Sequence, residues 1–327
     1  MQPIRAAIVG LGRWGRQLVG ATAGHARLKI VCAVEPDVEG ARGFCAEHGL
    51  ELAGSLDAVL ADSSIDAVLL ATPHSLHPAQ VMACAAAQKH VFCEKPLALR
   101  RADAARMFDA CRDAGVTLAV GHNRRFWPSM AALRDTVASG ELGAILHIEG
   151  HNSNENSQNV TAGWRLSPDE SPGGGLTGAG LHVLDAFVSL LGPVRRVYAR
   201  LNSLEQGPPP LDTAMLAIDF ANGATGTLAT VRATPLYWRV HAFGTNGSAE
   251  VLDEGTMILR KSGAKPRQIT YAAIDVLRAE LNAFADGIEN KRAFPVPEAE
   301  VLATLSAFEA ALRSMQSGQP VVCGDRT

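Results

Sequence analysis

The segment 4–20, IRAAIVGLGRWGRQLVG, constrains this chain more than any other. An apolar, β-branched run ends in Gly10-Leu11-Gly12-Arg13-Trp14-Gly15 and passes straight into a helical pattern, so the chain must turn from strand to helix within a few residues. In such a GxGxxG turn the first glycine permits the tight bend. The second removes a side chain where a pyrophosphate would pass, and the third lets helix pack on strand. Phosphate oxygens would then meet the N–H groups and positive dipole end of the helix. Glu35, twenty positions after Gly15 and at the end of the second apolar run, offers a carboxylate to ribose hydroxyls and would repel a 2′-phosphate. NAD is therefore favoured over NADP, with Arg13 inside the turn as the one feature pulling the other way, and Trp14 beside it on the cofactor side.

The pattern continues to about residue 121. Apolar runs at 4–10, 28–35, 66–73, 90–96 and 117–122 read as strands buried on both faces, with helical segments near 14–24, 38–48, 77–89 and 99–114 between them. Strand alternating with helix predicts an α/β fold, a doubly wound Rossmann domain over 1–122 with right-handed crossovers. The second half, 123–327, changes character. A helix near 129–139 and a strand near 144–151 lead into the polar loop NSNENSQNVTAGWRLSPDESPGGG, and DTAMLAIDFANGATGTLATVRA then alternates across Asn222-Gly223, a strong hairpin signal. Strands near 238–243, 248–253 and 256–260 and helices at 275–290 and 298–316 complete a mostly antiparallel α+β domain, the last helix being free to pack back on the first domain.

Composition narrows the partners. Of 327 residues, 19% are charged and the formal net charge is −3, with Lys and Arg scattered, so no footprint for nucleic acid or an anionic membrane exists and a small molecule is the expected partner. No apolar stretch approaches the roughly 20 residues that span a bilayer. The six cysteines show no CxxC spacing and five lie in apolar patterns, predicting reduced thiols. The first residues run directly into a strand, leaving no room for a signal peptide, so a cytoplasmic location is expected. His25, His48, His147 and His241 are isolated and no metal site is predicted. YWRV at 237–240 reads as an aromatic-bearing strand.

Three stretches fall where first-domain strands end, the edge at which open α/β sheets bind ligands: ATPHSLHP (71–78), EKP (94–96) and GHNRRFWP (121–128). Lys95, between Glu94 and Pro96, is placed to donate to a substrate hydroxyl or developing alkoxide, though an ordinary surface lysine would carry the same spacing. Further on, SPGGGLTGAGLHVLD brings five glycines up to His182, whose imidazole is the right kind of group to take a hydroxyl proton near neutral pH. Val183, Leu184, Phe187, Val188 and Leu191 follow a 3.6-residue pattern, so His182 and Asp185 begin a helix rather than end a linker.

Taken together and in order, Gly10-Leu-Gly12-Arg-Trp-Gly15, ATPHSLH, Glu94-Lys95-Pro96, HNRRF, GGG and His182-Val-Leu-Asp185 resemble the Gfo/Idh/MocA family, the glucose-fructose oxidoreductase and inositol dehydrogenase group, over essentially the whole chain. The resemblance implies a nicotinamide cofactor, a polyol, sugar-like or cyclic hydroxy substrate, and a homodimer or homotetramer built through the C-terminal sheet. It implies that Lys95 contacts cofactor and substrate and that His182 is the catalytic acid/base. Thr72, Pro73, His74 and His77 would lie along the ribose and nicotinamide, Glu94 on the cofactor side, and Trp164-Arg165 at the nicotinamide end. Asn123 and either Arg124 or Arg125 would face the substrate, together with Gly178 and Asp185. Many sugar and inositol dehydrogenases of the family carry an aspartate where this chain has Gly178, which predicts a substrate bulkier, more apolar or carboxylate-bearing than a simple inositol. Within the family, relatives that recycle a bound NAD during glycoside cleavage, or that reduce imines, are the alternative chemistry. A non-catalytic NAD-binding regulator is the alternative class, and retention of both Lys95 and His182 argues against it.

Overall fold

The computed structural model describes residues 2–155, 159–160, 163–205 and 210–324. In chain order the first elements are β1 (Ile4–Val9), α1 (Arg13–Thr22), β2 (Leu28–Val34), α2 (Val38–His48), β3 (Glu51–Leu52), α3 (Leu56–Ala61), β4 (Ala67–Leu70), α4 (His77–Ala86), β5 (His90–Glu94), α5 (Arg101–Asp113) and β6 (Leu118–Gly121). There follow α6 (Pro128–Ala138), β7 (Ile145–Asn154), α7 (Leu181–Leu191), β8 (Val194–Ser203), β9 (Asp212–Phe220), β10 (Thr225–Arg232), β11 (Tyr237–Gly244), β12 (Gly247–Val251), β13 (Thr256–Lys261) and β14 (Arg267–Thr270). The chain closes with α8 (Val276–Asn290), α9 (Glu298–Ser317) and β15 (Val321–Val322).

Two compact units result. The first comprises Met1–Ala98, Ala102–Asn123 and Asp275–Pro297; the second comprises Leu99–Arg101, Arg124–Ile274 and Glu298–Thr327. The first unit is a six-stranded sheet in the order β3-β2-β1-β4-β5-β6, parallel throughout. Ala6–Val9, Ala67–Leu70 and Val91–Cys93 are buried because helices cover both faces. The division differs from a single cut at 122/123, since α8 returns to this unit: its stripe of Leu281, Phe284 and Ala285 is buried, and Phe284 meets Phe92 of β5 edge to face at 5.9 Å. Asp286 and Glu289 at its far end hold Arg27.

The second unit is a nine-stranded sheet in the order β14-β13-β12-β11-β7-β10-β9-β8-β15, antiparallel except where β7 runs parallel to β10. The hairpin at Asn222-Gly223 joins β9 to β10. Strand β8, VRRVYARLNS, lies outside the sequence expectation; its exposed arginines and polar end blur the alternation of apolar residues. The helix near 298–316 is α9, and it packs within this unit on β8 and α7, with Ala199 N–H donating to Ser314 Oγ at 2.8 Å. The core lies between the sheet and α7, where Phe187 packs against Phe220 at 6.3 Å. A Cβ on Gly150 of β7 would collide with Val183 and Phe187, so its absence lets α7 lie close on the sheet.

No helix among the described residues is long and apolar enough to cross a membrane, and no group of His, Cys, Asp or Glu among them is arranged to hold a metal ion. Cys32, Cys45, Cys84, Cys93 and Cys111 are buried, which pushes the Cys84 thiol up to about 12 and the Cys32 and Cys111 thiols up to about 11.

Candidate active site

The turn between β1 and α1 is built as its glycines require. Gly10 adopts φ +92°, a conformation L side chains rarely take, and its N–H donates to Val34 O at 2.9 Å, tying the turn to β2. A Cβ on Gly15 would collide with the Gly10 carbonyl oxygen, whereas one on Gly12 would meet nothing within 4 Å. No side chain caps α1. An open cradle at an uncapped helix start fits a pyrophosphate. Arg13 is exposed and Trp14 half-buried beside it. Glu35 has a structural duty besides the one the sequence predicts: its Oε2 accepts from Leu11 N–H at 2.6 Å and its Oε1 from Asp37 N–H at 3.3 Å, so the carboxylate is braced against the glycine turn.

The ends of β4, β5 and β6 share one edge of the parallel sheet. Beyond β4, Thr72 donates to Gln80 at 2.6 Å, and Pro73 leads into a single 3-10 turn, His74–Leu76. His77 does not line that edge as the sequence predicts. It is fully buried, with Nδ1 2.9 Å from Pro96 O and Nε2 3.2 Å from Thr72 O, and therefore braces the first stretch against the EKP stretch. Lys95 is half-buried and its peptide bond to Pro96 is cis. Glu94 is buried, and a Cβ on Gly121 of β6 would press on its carboxylate at 3.2 Å. Glu280 of α8 is a group the sequence reading missed. Both its oxygens are buried without a hydrogen-bond partner, and burial, reinforced by the charge of Glu94, pushes its carboxyl well above the usual range. Glu280 lies three residues after Leu277 and four before Phe284, so the helical period does set it on the apolar face; its charge alone reads as a solvent-facing residue.

Asn123 opens a 3-10 turn, Asn123–Phe126, that carries the two arginines. Arg125 is buried and ion-paired: its Nε and Nη2 reach Asp185 Oδ2 and Oδ1 at 2.6 and 2.7 Å, and Nη1 contacts Glu300 of α9. Asp185, expected to face the substrate, and Arg125, one of the two arginines of which either was expected to, are thus ion-paired with each other, and the pair holds the start of α7. Arg124 takes the other direction. Its guanidinium packs over Trp238 at 4.1 Å and Trp127 at 4.8 Å, and it borders a cavity of only about 10 Å³ with His182, Arg134 and Ser189.

His182 itself is buried near the start of α7. The preceding glycines are packing devices: Gly175 N–H donates to Asp212 Oδ1 at 2.9 Å, and Cβ atoms on Gly174 and Gly180 would run into Asp212 and Thr230. Residues Leu176–Gly180 form a π-helical turn, so the helix that begins at Leu181 is entered through a widened coil rather than the plain α-helix the periodicity implies. Gly178 is exposed, with nothing within 4 Å of where its Cβ would be. Behind this turn a rung crosses three strands, Thr230 of β10, Asn152 of β7 and Trp238 of β11. Asn152 Nδ2 donates to Ala179 O at 2.8 Å, while Thr230 Oγ1, Asn152 Oδ1 and Trp238 Nε1 are buried without partners. The sequence reading made Trp238 part of an aromatic-bearing strand; its contact with Arg124 was not legible there. Trp164 and Arg165 stack on one another at 4.2 Å in the 3-10 turn Trp164–Leu166; the polar loop before them includes residues 156–158 and 161–162, outside the described residues.

Comparison with known proteins matches both halves of the chain. The family model described as "Oxidoreductase family, NAD-binding Rossmann fold" matches residues 4–122, and that described as "GFO/IDH/MocA C-terminal domain" matches 130–250. The chain is 31% identical to a D-xylose 1-dehydrogenase (NADP(+)) of Haloferax volcanii over 82% of this chain and 83% of that one. It is 30% identical to the 2,7-anhydro-N-acetylneuraminate hydratase of Escherichia coli over 76% of this chain and 67% of the other. Levoglucosan dehydrogenase, solved in complex with NADH and L-sorbose, shares the fold with a TM-score of 0.91 at 22% identity, covering 100% of both chains.

Proposed function

Because the chain belongs to the Gfo/Idh/MocA family of NAD-binding oxidoreductases, we propose that it transfers hydride between a nicotinamide dinucleotide and a secondary hydroxyl of a sugar-like or cyclic hydroxy substrate. The observation that carries this reading is the β1–α1 turn, with an uncapped helix start and open space over Gly12. The bound dinucleotide supplies the hydride acceptor. Gly10, Gly12 and Gly15 shape its cradle, and Glu35, braced by Leu11 N–H, keeps lone pairs for ribose hydroxyls and repels a 2′-phosphate, favouring NAD. Thr72, Pro73, His74 and Glu94 line the same sheet edge. Lys95, at the end of β5, stabilises negative charge on the substrate oxygen by hydrogen bonding. His182 takes the hydroxyl proton, and the Arg125–Asp185 pair fixes the helix that presents it. A second reading follows the relative named a hydratase, a name that describes no net hydride transfer: a bound dinucleotide would then be recycled within each turnover of this chain and no NADH would accumulate. The exposed face of the nine-stranded sheet, with Leu146 and Met215, is the surface for a homodimer or homotetramer, and the buried thiols suit a reducing cytoplasm.

A screen of cyclitols, aldoses and sugar acids with NAD and NADP, following NADH absorbance, tests the reaction class. Lys95→Ala and His182→Ala lower turnover by roughly 10²–10⁴-fold while leaving NAD affinity nearly intact. A fully active His182→Ala protein removes the acid/base assignment. Substrate consumption without stoichiometric NADH selects the second reading.

A further inference from the structure

Phe92 and Glu94 stand two residues apart on β5, so both side chains project from one face of the parallel sheet. Phe284 of α8 packs on that face against Phe92, and Glu280 lies one helical turn before Phe284. The other end of α8 fixes its direction: Gly287 lies over Thr117, whose carbonyl accepts from Val91 N–H at the start of β5. The helix therefore runs back along β5, and Glu280 comes to the strand's carboxyl end, where Glu94 stands. This is the sheet edge that carries Lys95.

Glu280 is fully buried, forms no ion pair, and has no hydrogen-bond partner on either carboxyl oxygen among the described residues. The arginines nearest along the helix face are engaged elsewhere, Arg27 by Asp286 and Glu289 and Arg278 by the Ala23 carbonyl. The titratable groups at this end of the sheet are Cys93 and Glu94 of β5 and His122, buried just beyond β6; of these, Glu94 is the one whose charge bears on Glu280. Helix α1 and strand β2, also packed on α8, bring Arg13, Arg16 and Lys29, all exposed, and the Cys32 thiol, kept neutral by burial. A carboxylate would have no compensation in that place, and burial beside Glu94 keeps the group in its acid form. A leucine would fill the space without an unpaired polar group and at lower cost in stability. What the acid adds is a proton that can leave.

We propose that Glu94 and Glu280 are a one-proton pair at the end of β5, Glu280 holding the proton, and that the pair responds to the charge of the nicotinamide. Glu280 touches neither cofactor nor substrate; it is a positioning residue that acts through Glu94. Two adjacent carboxylates repel, so the pair alone carries a single negative charge, whereas a cation brought to the strand end compensates a second one. The oxidised ring is a cation and the reduced ring is neutral. NAD therefore binds more tightly as the pair loses its proton, NADH gains nothing from that loss, and by linkage NAD draws the proton off. The inference rests on the hydride-transfer reading above in bringing the nicotinamide to the end of β5.

Two measurements test it, and the first needs no ligand. The unfolded chain releases the Glu280 proton at about pH 4.3 while the folded chain keeps it, so wild type loses stability relative to Glu280→Gln as pH rises. In urea unfolding the ratio of folding constants, variant to wild type, is expected to rise about tenfold per pH unit between pH 5 and 7. A ratio that does not change with pH shows Glu280 ionised in the fold and overturns the proposal. The second measurement is fluorescence titration of NADH, with NAD as competitor, between pH 6 and 9. The ratio of the NADH to the NAD dissociation constant is expected to rise by about tenfold over that range in wild type and by less than about threefold in Glu280→Gln. Glu280→Leu, neutral in another shape, matches the glutamine variant, and Glu280→Asp keeps the wild-type trend. Equal trends in wild type and both neutral variants overturn the proposal, as does a failure of both neutral variants to fold or of the two nucleotides to bind. Proton-linked NAD binding without hydride transfer to or from any compound keeps the pair and removes the dehydrogenase reading. Turnover with NAD while the ratio stays flat does the reverse.

Discussion

Two glycine-rich stretches, 10–15 in the first unit and 173–180 in the second, each contain one glycine whose Cβ would point into open space, Gly12 and Gly178, among glycines that have no room for one. They differ in what crowds the others. In the first stretch a Cβ on Gly10 or Gly15 meets backbone, the Ala71 and Gly10 carbonyls, which cannot rotate away. In the second the obstacles are side chains, Leu312, Asp212 and Thr230, which can shift at some cost. The first turn is therefore a fixed cradle of one shape, suited to a cofactor part that never varies, while the second is a packed but adjustable wall suited to a substrate that differs among relatives.

The comparison is most easily broken at its crowded positions. Gly15→Ala is expected to destabilise the protein by about 3 kcal/mol or more, because helix α1 must move away from β1, and Gly180→Ala by about 1–2 kcal/mol, because Thr230 can yield. Urea unfolding of the two variants gives the ranking; equal costs would show that backbone and side-chain obstacles do not differ here. The open positions come next. Gly12→Ala changes stability by no more than about 1 kcal/mol, the scale of a helix N-cap preference, yet weakens NAD binding by at least roughly tenfold because the added methyl occupies the pyrophosphate path. Fluorescence titration of NADH measures it, and unchanged affinity would remove the pyrophosphate from that space. Gly178→Asp leaves unfolding within about 0.5 kcal/mol and changes kcat/KM for the hydroxy substrate found by the screen by about tenfold, because the new carboxylate enters the open space one turn before His182. An unchanged kcat/KM would place Gly178 away from the ligand.

How much of this was legible in the sequence follows the same division. The first stretch is local: strand, turn and helix are neighbours in the chain, so GxGxxG states its geometry where it stands, and the parallel sheet follows from the repeating pattern. The second wall is assembled from a distance. Thr230, Asn152 and Trp238 meet only because β10, β7 and β11 pair side by side, and no spacing in the sequence connects them. The adjacent pair Arg124-Arg125 looks symmetrical as text. Only the fold turns one toward Asp185 and lays the other on two indoles. His77 misled for a related reason, since its polarity reads as a site residue while its partners, the Pro96 and Thr72 carbonyls, are backbone groups that carry no sequence signal.

The Gly178→Asp comparison holds only where the second unit's own stability is not moving with pH, and His241 on β11 sets that window. Burial lowers its pKa to about 4; Glu250 partly offsets this, and Arg260 and Arg239 add to it. The unfolded chain binds a proton near pH 6.5 that the folded chain accepts only near pH 4, so the contribution of His241 is fully present above pH 6.5 and is lost as pH falls toward 4. At pH 6 the loss is about 1 kcal/mol. Thermal midpoints of wild type and His241→Phe between pH 5 and 8 check it. The wild-type midpoint should fall below pH 6.5 while that of His241→Phe stays flatter, and parallel curves would assign the acid sensitivity to another group and move the range in which the two glycine stretches can be compared.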